Sequence, residues 1–170
     1  KLLFSRRMDT RVVLEQFARG IEFTVVVLEN RFGLPVAIMP TEVEKDYEAH
    51  QIFDYRRKYL PTGQFTFHCP PRFANHVIER IQVQAEQLFA LFGMRDFARF
   101  DGWVLENGEL WFADFNPISG MEQNSFLFQQ AARVGLPHRA DLRAIVEQAC
   151  RRQRLDPPLW QEELGAGRRQ

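Results

Sequence analysis

The sequence predicts an α+β domain in which a mostly antiparallel or mixed sheet is flanked by helices. Short runs of β-branched and aromatic residues come first, one clear helical period follows, and a hairpin pattern precedes two further helical segments. Strands that do not alternate with helices favour antiparallel pairing. The chain has 170 residues, of which 45% are hydrophobic, so it is long and apolar enough to bury a core.

The first part of the chain contains four expected strands. They are short apolar runs at residues 11–17, 21–29, 34–39 and 65–68. Residues 21–29 are the richest in β-branched side chains, which suit a pleated and buried surface. Residues 44–64 instead carry many charges and tyrosines without any period. A connection of this length in a compact domain is typical of a lid or a binding loop.

The clearest helix is expected at residues 75–92. Asn75 is a candidate N-cap and Gly93 fits the stop. Apolar side chains recur there at steps of three and four residues and form one stripe, Ile78, Ile81, Ala85, Leu88 and Phe92. Residues 125–134, closed by Gly135, predict a second helix, and residues 141–152 predict a third. The third helix would bury Leu142, Ile145, Val146 and Ala149.

Two strand-like runs, ARFDGWVLE and ELWFADFN, are separated by Asn107-Gly108, which is the strongest short signal for a two-residue hairpin turn. This turn would place Asp101 opposite Asp114 and Arg99 opposite Asn116. Side chains two residues apart share a face, so all four polar groups would gather at the end away from the turn. An apolar stripe would continue along the same face, formed by Trp103, Leu105, Leu110 and Phe112.

The four polar residues of the hairpin suggest a site for a divalent cation and an anion. Asp101, Asp114 and Asn116 offer only oxygen atoms as ligands, which suit magnesium rather than zinc. Arg99 beside them suits phosphate or developing negative charge. The alternative is a salt-bridge ladder at a sheet edge, in which Arg99 neutralises Asp101. The residue pattern alone leaves both interpretations open.

Charge and composition bound the classes of partner. Lys+Arg and Asp+Glu balance at 22 each, so no global charge attracts nucleic acid or an acidic membrane, and we expect neither as a partner. No apolar run is long enough to span a bilayer. The two cysteines, Cys69 and Cys150, have no metal-like spacing and are typical of free thiols in a reducing compartment. We therefore expect a cytoplasmic protein.

Four segments in the right order resemble the C-terminal part of an ATP-grasp ligase of the D-alanine–D-alanine ligase type. They are GIEFTVVVLE, FDYRRKYL followed by CPPRF, ARFD with ADFN, and SGMEQNS. The resemblance implies an ATP-grasp C-terminal subdomain, with residues 1–152 as the catalytic portion and residues 153–170 as a peripheral tail. It also implies a ligase that uses ATP and Mg²⁺ to form an acylphosphate, which the amine of a second amino acid attacks.

The same resemblance implies a role for each matching residue. Asp101, Asp114 and Asn116 would hold Mg²⁺. Arg99 and Lys58 would contact the transferring phosphate. Tyr59 would lie near the substrate pocket, and the backbone amide of Gly120 would stabilise the oxyanion. Ser125 and Met121 would contact substrate, Ser125 through the carboxylate of the second substrate. Glu15 and Glu22 would contact the ribose and adenine side of ATP.

Some positions depart from the family pattern. Asp114 stands where glutamate is usual, Ser119 stands where proline is usual, and Glu122 stands where threonine is usual. Glu122 adds a negative charge where a substrate carboxylate should bind, which favours other substrates as an alternative. A non-catalytic domain that binds nucleotide or a protein partner is a further alternative.

The family's glycine-rich phosphate loop and ATP-binding lysines have no counterpart in the chain. We therefore expect the 170-residue chain alone to lack ligase activity. Its expected partners are amino-acid-like substrates and upstream domains of the same protein, and homodimer formation is left open.

Overall fold

The structure is a computed structural model that describes residues 14–45, 65–122 and 124–155. Within this part of the chain, one six-stranded sheet is accompanied by three helices. The strands are β1 Gly20–Glu29, β2 Pro35–Ala37, β3 Thr41–Lys45, β4 Phe65–His68, β5 Phe97–Leu105 and β6 Leu110–Asn116. The helices are α1 Asn75–Leu91, α2 Phe126–Arg133 and α3 His138–Gln153.

All strand pairs in the sheet are antiparallel, in the order β4-β3-β1-β5-β6. Strand β1 is central, because β5 pairs along one edge while β3 and then β2 pair along the other. Its residues Phe23, Val25, Val26 and Val27 are fully buried, as expected for a strand covered on both faces. The predicted α+β class is therefore confirmed, with antiparallel rather than mixed pairing.

Helices cover both faces of the sheet. On the first face, Phe23, Val25 and Val27 pack with buried residues of α1. On the second face, Val26 and Ile38 pack with buried residues of α2, and Leu142 and Ile145 of α3 lie against the same cluster. Because side chains alternate along β1, odd-numbered residues face α1 and even-numbered residues face α2. We call these the α1 face and the α2 face.

Several sequence-based boundaries were wrong. Residues 14–19 are irregular, so the described part of the strand predicted at residues 11–17 is absent. Strand β3 was missed, because its alternating sequence TEVEK is charged and merges with the polar stretch after it. Helix α3 begins at His138, three residues before its predicted start. The remainder of the predicted lid, residues 46–64, lies outside the described residues.

Helix α1 was predicted closely, but two details differ. Its N-cap is Ala74 rather than Asn75, and no side chain caps the helix. Phe89 is buried, whereas Phe92 is 53% exposed and its ring lies 5.1 Å from the ring of Phe115. Gly93 follows the helix with a φ of 61°, a left-handed conformation that glycine adopts without strain.

Candidate functional site

The predicted hairpin is present, but its loop has three residues, 106–108, rather than the predicted two. Leu105 N–H donates to the Glu109 carbonyl, and Gly108 N–H donates to the Leu105 carbonyl, each at 2.8 Å. The open end of the hairpin has the predicted register. Arg99 pairs with Asn116, and Asp101 pairs with Asp114. Nearer the turn the register shifts by one residue, so that Gly102 pairs with Phe112 and Ala113 is the extra residue of a bulge in β6.

The bulge corrects the predicted apolar stripe. Side chains of paired residues share a face, so Phe112 joins the α1 face, where its ring contacts Phe23 at 5.2 Å. Leu110 pairs with Val104 and packs against the same core. Trp111 instead pairs with Trp103 on the α2 face. The polar cluster is therefore followed by two tryptophans rather than by Leu110 and Phe112.

Arg99, Asp101 and Asn116 form one hydrogen-bonded cluster. The Arg99 guanidinium donates from Nε to Asp101 Oδ1 at 3.0 Å and from Nη2 to Oδ2 at 2.9 Å. Asn116 Nδ2 also donates to Asp101 Oδ2, at 3.2 Å. A bidentate pair of this kind fixes the planes of both groups. Arg99 therefore does neutralise Asp101, as the structural alternative expects.

Asp114 lies across from Asp101 and is exposed. The side chains of Arg99 and Asp101 remain 22% and 21% exposed, so the cluster is open to solvent. Two carboxylates and one guanidinium leave a net charge of −1. Carboxylate oxygens also have lone pairs beyond those that accept the observed hydrogen bonds. The donor set thus fits a hard cation that takes oxygen ligands.

The segment SGMEQNS, residues 119–125, is the predicted substrate loop, and its described residues lie in the chain between this cluster and the start of α2. Ser125 is the N-cap residue of α2, but its hydroxyl makes no capping hydrogen bond. Among the described residues, the Ser125 and Ser119 hydroxyls are buried without a hydrogen-bond partner. A Cβ placed on Gly120 would lie 2.5 Å from Glu122 Oε2 and 3.6 Å from Ser125 Cβ. Gly120, Glu122 and Ser125 are therefore close neighbours, while Met121 is 39% exposed.

Phe126 joins the start of α2 to the hairpin on one side and to β4 on the other. The Arg99 guanidinium carbon lies 5.7 Å from the centre of the Phe126 ring, and Phe126 is the first residue of α2. The Phe126 ring also contacts Phe67 of β4 edge-on at 5.1 Å. The start of α2 therefore lies beside the Arg99 cluster.

The remaining predicted residues are distributed unevenly. Glu22 pairs with Trp103 and so lies on the α2 face, on the same side of the sheet as Asp101. Glu15 is exposed in the irregular segment before β1. Lys58 and Tyr59 lie outside the described residues.

Gln130 is a key residue that the sequence analysis missed. It is fully buried, and its Oε1 accepts a hydrogen bond from the backbone N–H of Val26 at 2.9 Å. Its Nε2 donates to the carbonyl of Thr24 at 3.0 Å and to Thr41 Oγ1 at 3.1 Å. These bonds fall where β1 changes partner from β3 to β2. A glutamine in an amphipathic helix gives no sequence signal of this contact.

Glu42 is a second buried polar residue without a predicted role. It is 1% exposed, and it accepts hydrogen bonds from the Arg72 backbone N–H at 2.8 Å and from Arg72 Nε at 3.0 Å. Burial raises the pKa of Glu42, but the hydrogen bonds and charge of Arg72 outweigh it and hold the pKa below its usual value. This pair stabilises the chain after β4 against β3, away from the Arg99 cluster.

Among the helices that the structure describes, none is long and apolar enough to cross a membrane.

Comparison with known proteins supports the same family as the sequence motifs. Residues 2–148 match a family model described as D-ala D-ala ligase C-terminus. The D-alanine–D-alanine ligase of Desulfotalea psychrophila is 32% identical over 139 residues, which cover 80% of this chain and 41% of that protein. The ligase of Laribacter hongkongensis is 30% identical over 145 residues, covering 85% of this chain and 44% of its own.

Solved structures show the same fold. The D-alanine–D-alanine ligase of Coxiella burnetii has a TM-score of 0.65 at 25% identity, covering 82% of this chain and 34% of that protein. The Bacillus anthracis ligase complexed with ATP has a TM-score of 0.68 at 21% identity, covering 90% and 47%. The chain therefore spans about two fifths of the length of the curated relatives it matches.

Proposed function

The chain belongs to the family of D-alanine–D-alanine ligase C-terminal domains, and on that premise we propose that the protein is an ATP-dependent carboxylate–amine ligase. In this reaction ATP phosphorylates one carboxylate to an acylphosphate, and the amine of a second amino acid displaces the phosphate. The observation that carries the proposal is the Arg99–Asp101–Asn116 cluster with Asp114 opposite, open to solvent at the end of the hairpin.

Asp101, Asp114 and Asn116 are the residues that would hold Mg²⁺. The bound ion would offset the negative charge of the phosphate groups. Asp101 also orients Arg99 through two hydrogen bonds, so the guanidinium keeps a defined plane. A guanidinium has five N–H donors, and those not directed at Asp101 suit phosphate oxygens.

The other proposed roles follow the family pattern. Lys58 and Tyr59 act from the loop that excludes water, which would otherwise hydrolyse the acylphosphate. Glu15 and Glu22 contact the nucleotide, and the backbone N–H of Gly120 stabilises the oxyanion. Ser125 and Met121 contact the second substrate. A cytoplasmic location suits ATP-dependent chemistry and the two free cysteines.

The decisive test replaces Asp101 in the intact protein and measures release of ADP and formation of dipeptide. Asp101→Asn keeps the size of the side chain but removes the charge that holds a cation and orients Arg99. We expect kcat/KM to fall at least about 100-fold, a loss of roughly 3 kcal/mol in transition-state stabilisation.

Glu106→Gln is the matched control, because Glu106 is an exposed acid near the hairpin turn. It should leave turnover within about twofold of the wild type. Equal activity of the Asp101→Asn variant and the wild type would refute the metal and orienting roles together.

Glu122 favours a second candidate, a ligase of the same type whose second substrate is not D-alanine. Its carboxylate lies beside Gly120 and close to Ser125, where the family pattern places the carboxylate of the second substrate. Two like charges in such a partly shielded site repel by an energy of order 1 kcal/mol or more. A nucleophile without a negative charge at that position would avoid this cost.

Glu122→Gln tests the second candidate. If Glu122 repels the carboxylate, the variant should lower the KM for D-alanine about tenfold and leave that for D-alaninamide nearly unchanged. An unchanged KM for D-alanine would remove the case for a different substrate.

A further inference from the structure

A cavity lies on the α2 face, and none of the residues of the Arg99 cluster lines it. Its volume is about 290 Å³, and it is bounded by the end of β1, by β2 and by α3. Leu28, Val36, Ile38, Ala144 and Ile145 provide an apolar wall. This volume is near the lower end of the range for small-molecule sites. Among the described residues assigned to the ligase reaction, none lines it.

Two residues that line this cavity have a side-chain oxygen with no hydrogen-bond partner in the described part of the chain. Asp141 lines the cavity and is 2% exposed, and its Oδ2 has no partner. Gln148 Oε1 is likewise buried without a partner and lines the same cavity. The two residues are seven positions apart on α3, so they lie on one side of the helix, two turns apart. Burying such groups unpaired costs free energy unless something donates to them.

The other acids of the cavity are already paired. Asp96 accepts two hydrogen bonds from Arg152, each of 2.8 Å, and Glu29 lies 3.7 Å from the same guanidinium. Glu147 pairs with Arg143 at 2.7 Å. Arg31 and Arg151 also line the cavity, but Asp141 has no salt bridge within the part of the chain that the structure describes. Asp141 is therefore the one acid lining the cavity that has no basic partner among the described residues.

We propose that this cavity binds a small organic cation, an ammonium or amidinium group on a compact apolar body, which donates hydrogen bonds to Asp141 and Gln148. The apolar body would lie against Leu28, Ile38 and Ile145. An anion of the same shape would meet the unpaired carboxylate, and a neutral molecule would leave that charge uncompensated. The site is separate from the ligase site and does not depend on the proposed reaction.

Three probes of matched shape test the proposal: benzamidinium, neutral benzamide and anionic benzoate. Each is titrated into the full chain at pH 8 while the backbone amide resonances of α3 are followed by NMR. We expect saturable binding of benzamidinium, with an affinity at least tenfold higher than that of benzamide and no binding of benzoate. Equal binding of benzamide and benzamidinium, or no saturable binding of benzamidinium, would overturn the proposal.

Two variants locate the charge that matters. Asp141→Asn should weaken benzamidinium binding at least tenfold, whereas Glu147→Gln should change it less than threefold, because Glu147 is already paired with Arg143. Asp141→Asn removes a buried charge and should not unfold the chain, which a melting curve checks. Benzamidinium binding that survives Asp141→Asn would show that the carboxylate is not the recognition group.

Discussion

Asp101 accepts hydrogen bonds from both Arg99 and Asn116. The guanidinium of Arg99 also lies 5.7 Å from the centre of the Phe126 ring. The fixed geometry comes from side chains on two strands and from one helix start. Each of these side chains would be more mobile without the others. The conformational entropy lost in ordering them is therefore lost during folding rather than when a ligand binds. Substitutions that change only catalysis can thus be distinguished from substitutions that change the stability of the fold.

Ser125 is a residue whose functional and structural roles can be separated. It occupies the N-cap of α2, where serine to alanine commonly costs about 1 kcal/mol, but its hydroxyl makes no capping bond. We expect Ser125→Ala to change the free energy of unfolding by less than about 0.5 kcal/mol. The KM for the second substrate should rise about tenfold in the intact protein. Urea denaturation and steady-state kinetics measure the two effects, and a large stability loss with an unchanged KM would reverse the assignment.

Asp141 is predicted to destabilise the fold at neutral and alkaline pH. Burial raises its pKa from 3.8 to about 6. The loss of folding stability caused by this carboxylate is therefore absent below pH 3.8. It grows as the pH rises from 3.8 to about 6 and is complete above that pH. A shift of this size corresponds to about 3 kcal/mol, as an order of magnitude.

Asp141→Asn should accordingly stabilise the chain by about 1–3 kcal/mol at pH 8 and by much less at pH 4. The gain in stability is smaller than the whole cost of burying the charge, because the new amide also lacks a hydrogen-bond partner. Urea denaturation at both pH values measures the difference. A gain that is the same at pH 4 and pH 8 would contradict the role of ionisation.

At the scale of elements, α2 joins the candidate site to the sheet. Its buried side chains pack on Val26 and Ile38, and Gln130 bonds to the backbone of β1. The same helix starts at Ser125 and Phe126, beside Arg99. Fixing α2 on the sheet therefore also fixes Ser125, at the end of the predicted substrate loop, relative to the hairpin.

Gln130→Leu tests this connection. The leucine fills a similar space but leaves the Val26 N–H and the Thr24 carbonyl without their partner, so we expect a loss of about 2–4 kcal/mol. Gln129→Leu is the control, because Gln129 is exposed on the same helix and its amide donates only to the exposed Asn124 carbonyl, so the loss should stay below about 1 kcal/mol. Chemical denaturation of both variants decides, and equal losses would mean that the buried amide contributes little.

Gly102 permits the bulge that reorients β6. A Cβ on this residue would collide with the carbonyl oxygen of Trp111 and would lie 2.9 Å from Phe23 Cζ. Gly102→Ala should therefore destabilise the chain by about 2–3 kcal/mol and disturb the pairing of Asp101 with Asp114.

Gly108→Ala is the comparison, since Gly108 has a φ of 80° but open space around it. It should cost only about 1–2 kcal/mol, from backbone strain. Denaturation curves and NMR contacts between β5 and β6 distinguish the two cases. A tolerated Gly102→Ala with unchanged contacts would show that β6 can move away from residue 102.

At the scale of the whole molecule, the chain corresponds to about two fifths of the length of its curated relatives. The described residues provide the acids and the arginine of the candidate site and most of the predicted substrate loop, but the 170-residue sequence contains no glycine-rich phosphate loop. We expect the 170-residue chain alone to show no ATP-dependent ligation above background in an ADP-release assay. The intact protein is the positive control, and dipeptide formation by the chain alone would contradict the expectation.

Local patterns along the sequence determined the α+β class, strand β1, helix α1 and the position of the hairpin, although not the length of its loop. Each depends on contacts between residues that are near in sequence, such as the period of α1 or the Asn107-Gly108 turn. The grouping of Arg99, Asp101 and Asn116 was predicted from the same hairpin. Its register holds at the open end because the extra loop residue and the bulge at Ala113 shift the pairing in opposite directions.

Only the tertiary structure decided the bulge at Ala113, the burial of Gln130 in the sheet and the unpaired carboxyl of Asp141. These features depend on contacts between segments that are distant in sequence, such as the bond from residue 26 to residue 130. The hydrophobic period of the sequence does not predict them. A polar residue occupies the same place in a helical pattern whether its side chain faces water or hydrogen-bonds to buried backbone. The packing of α2 and α3 against the sheet determines which of their polar side chains are buried.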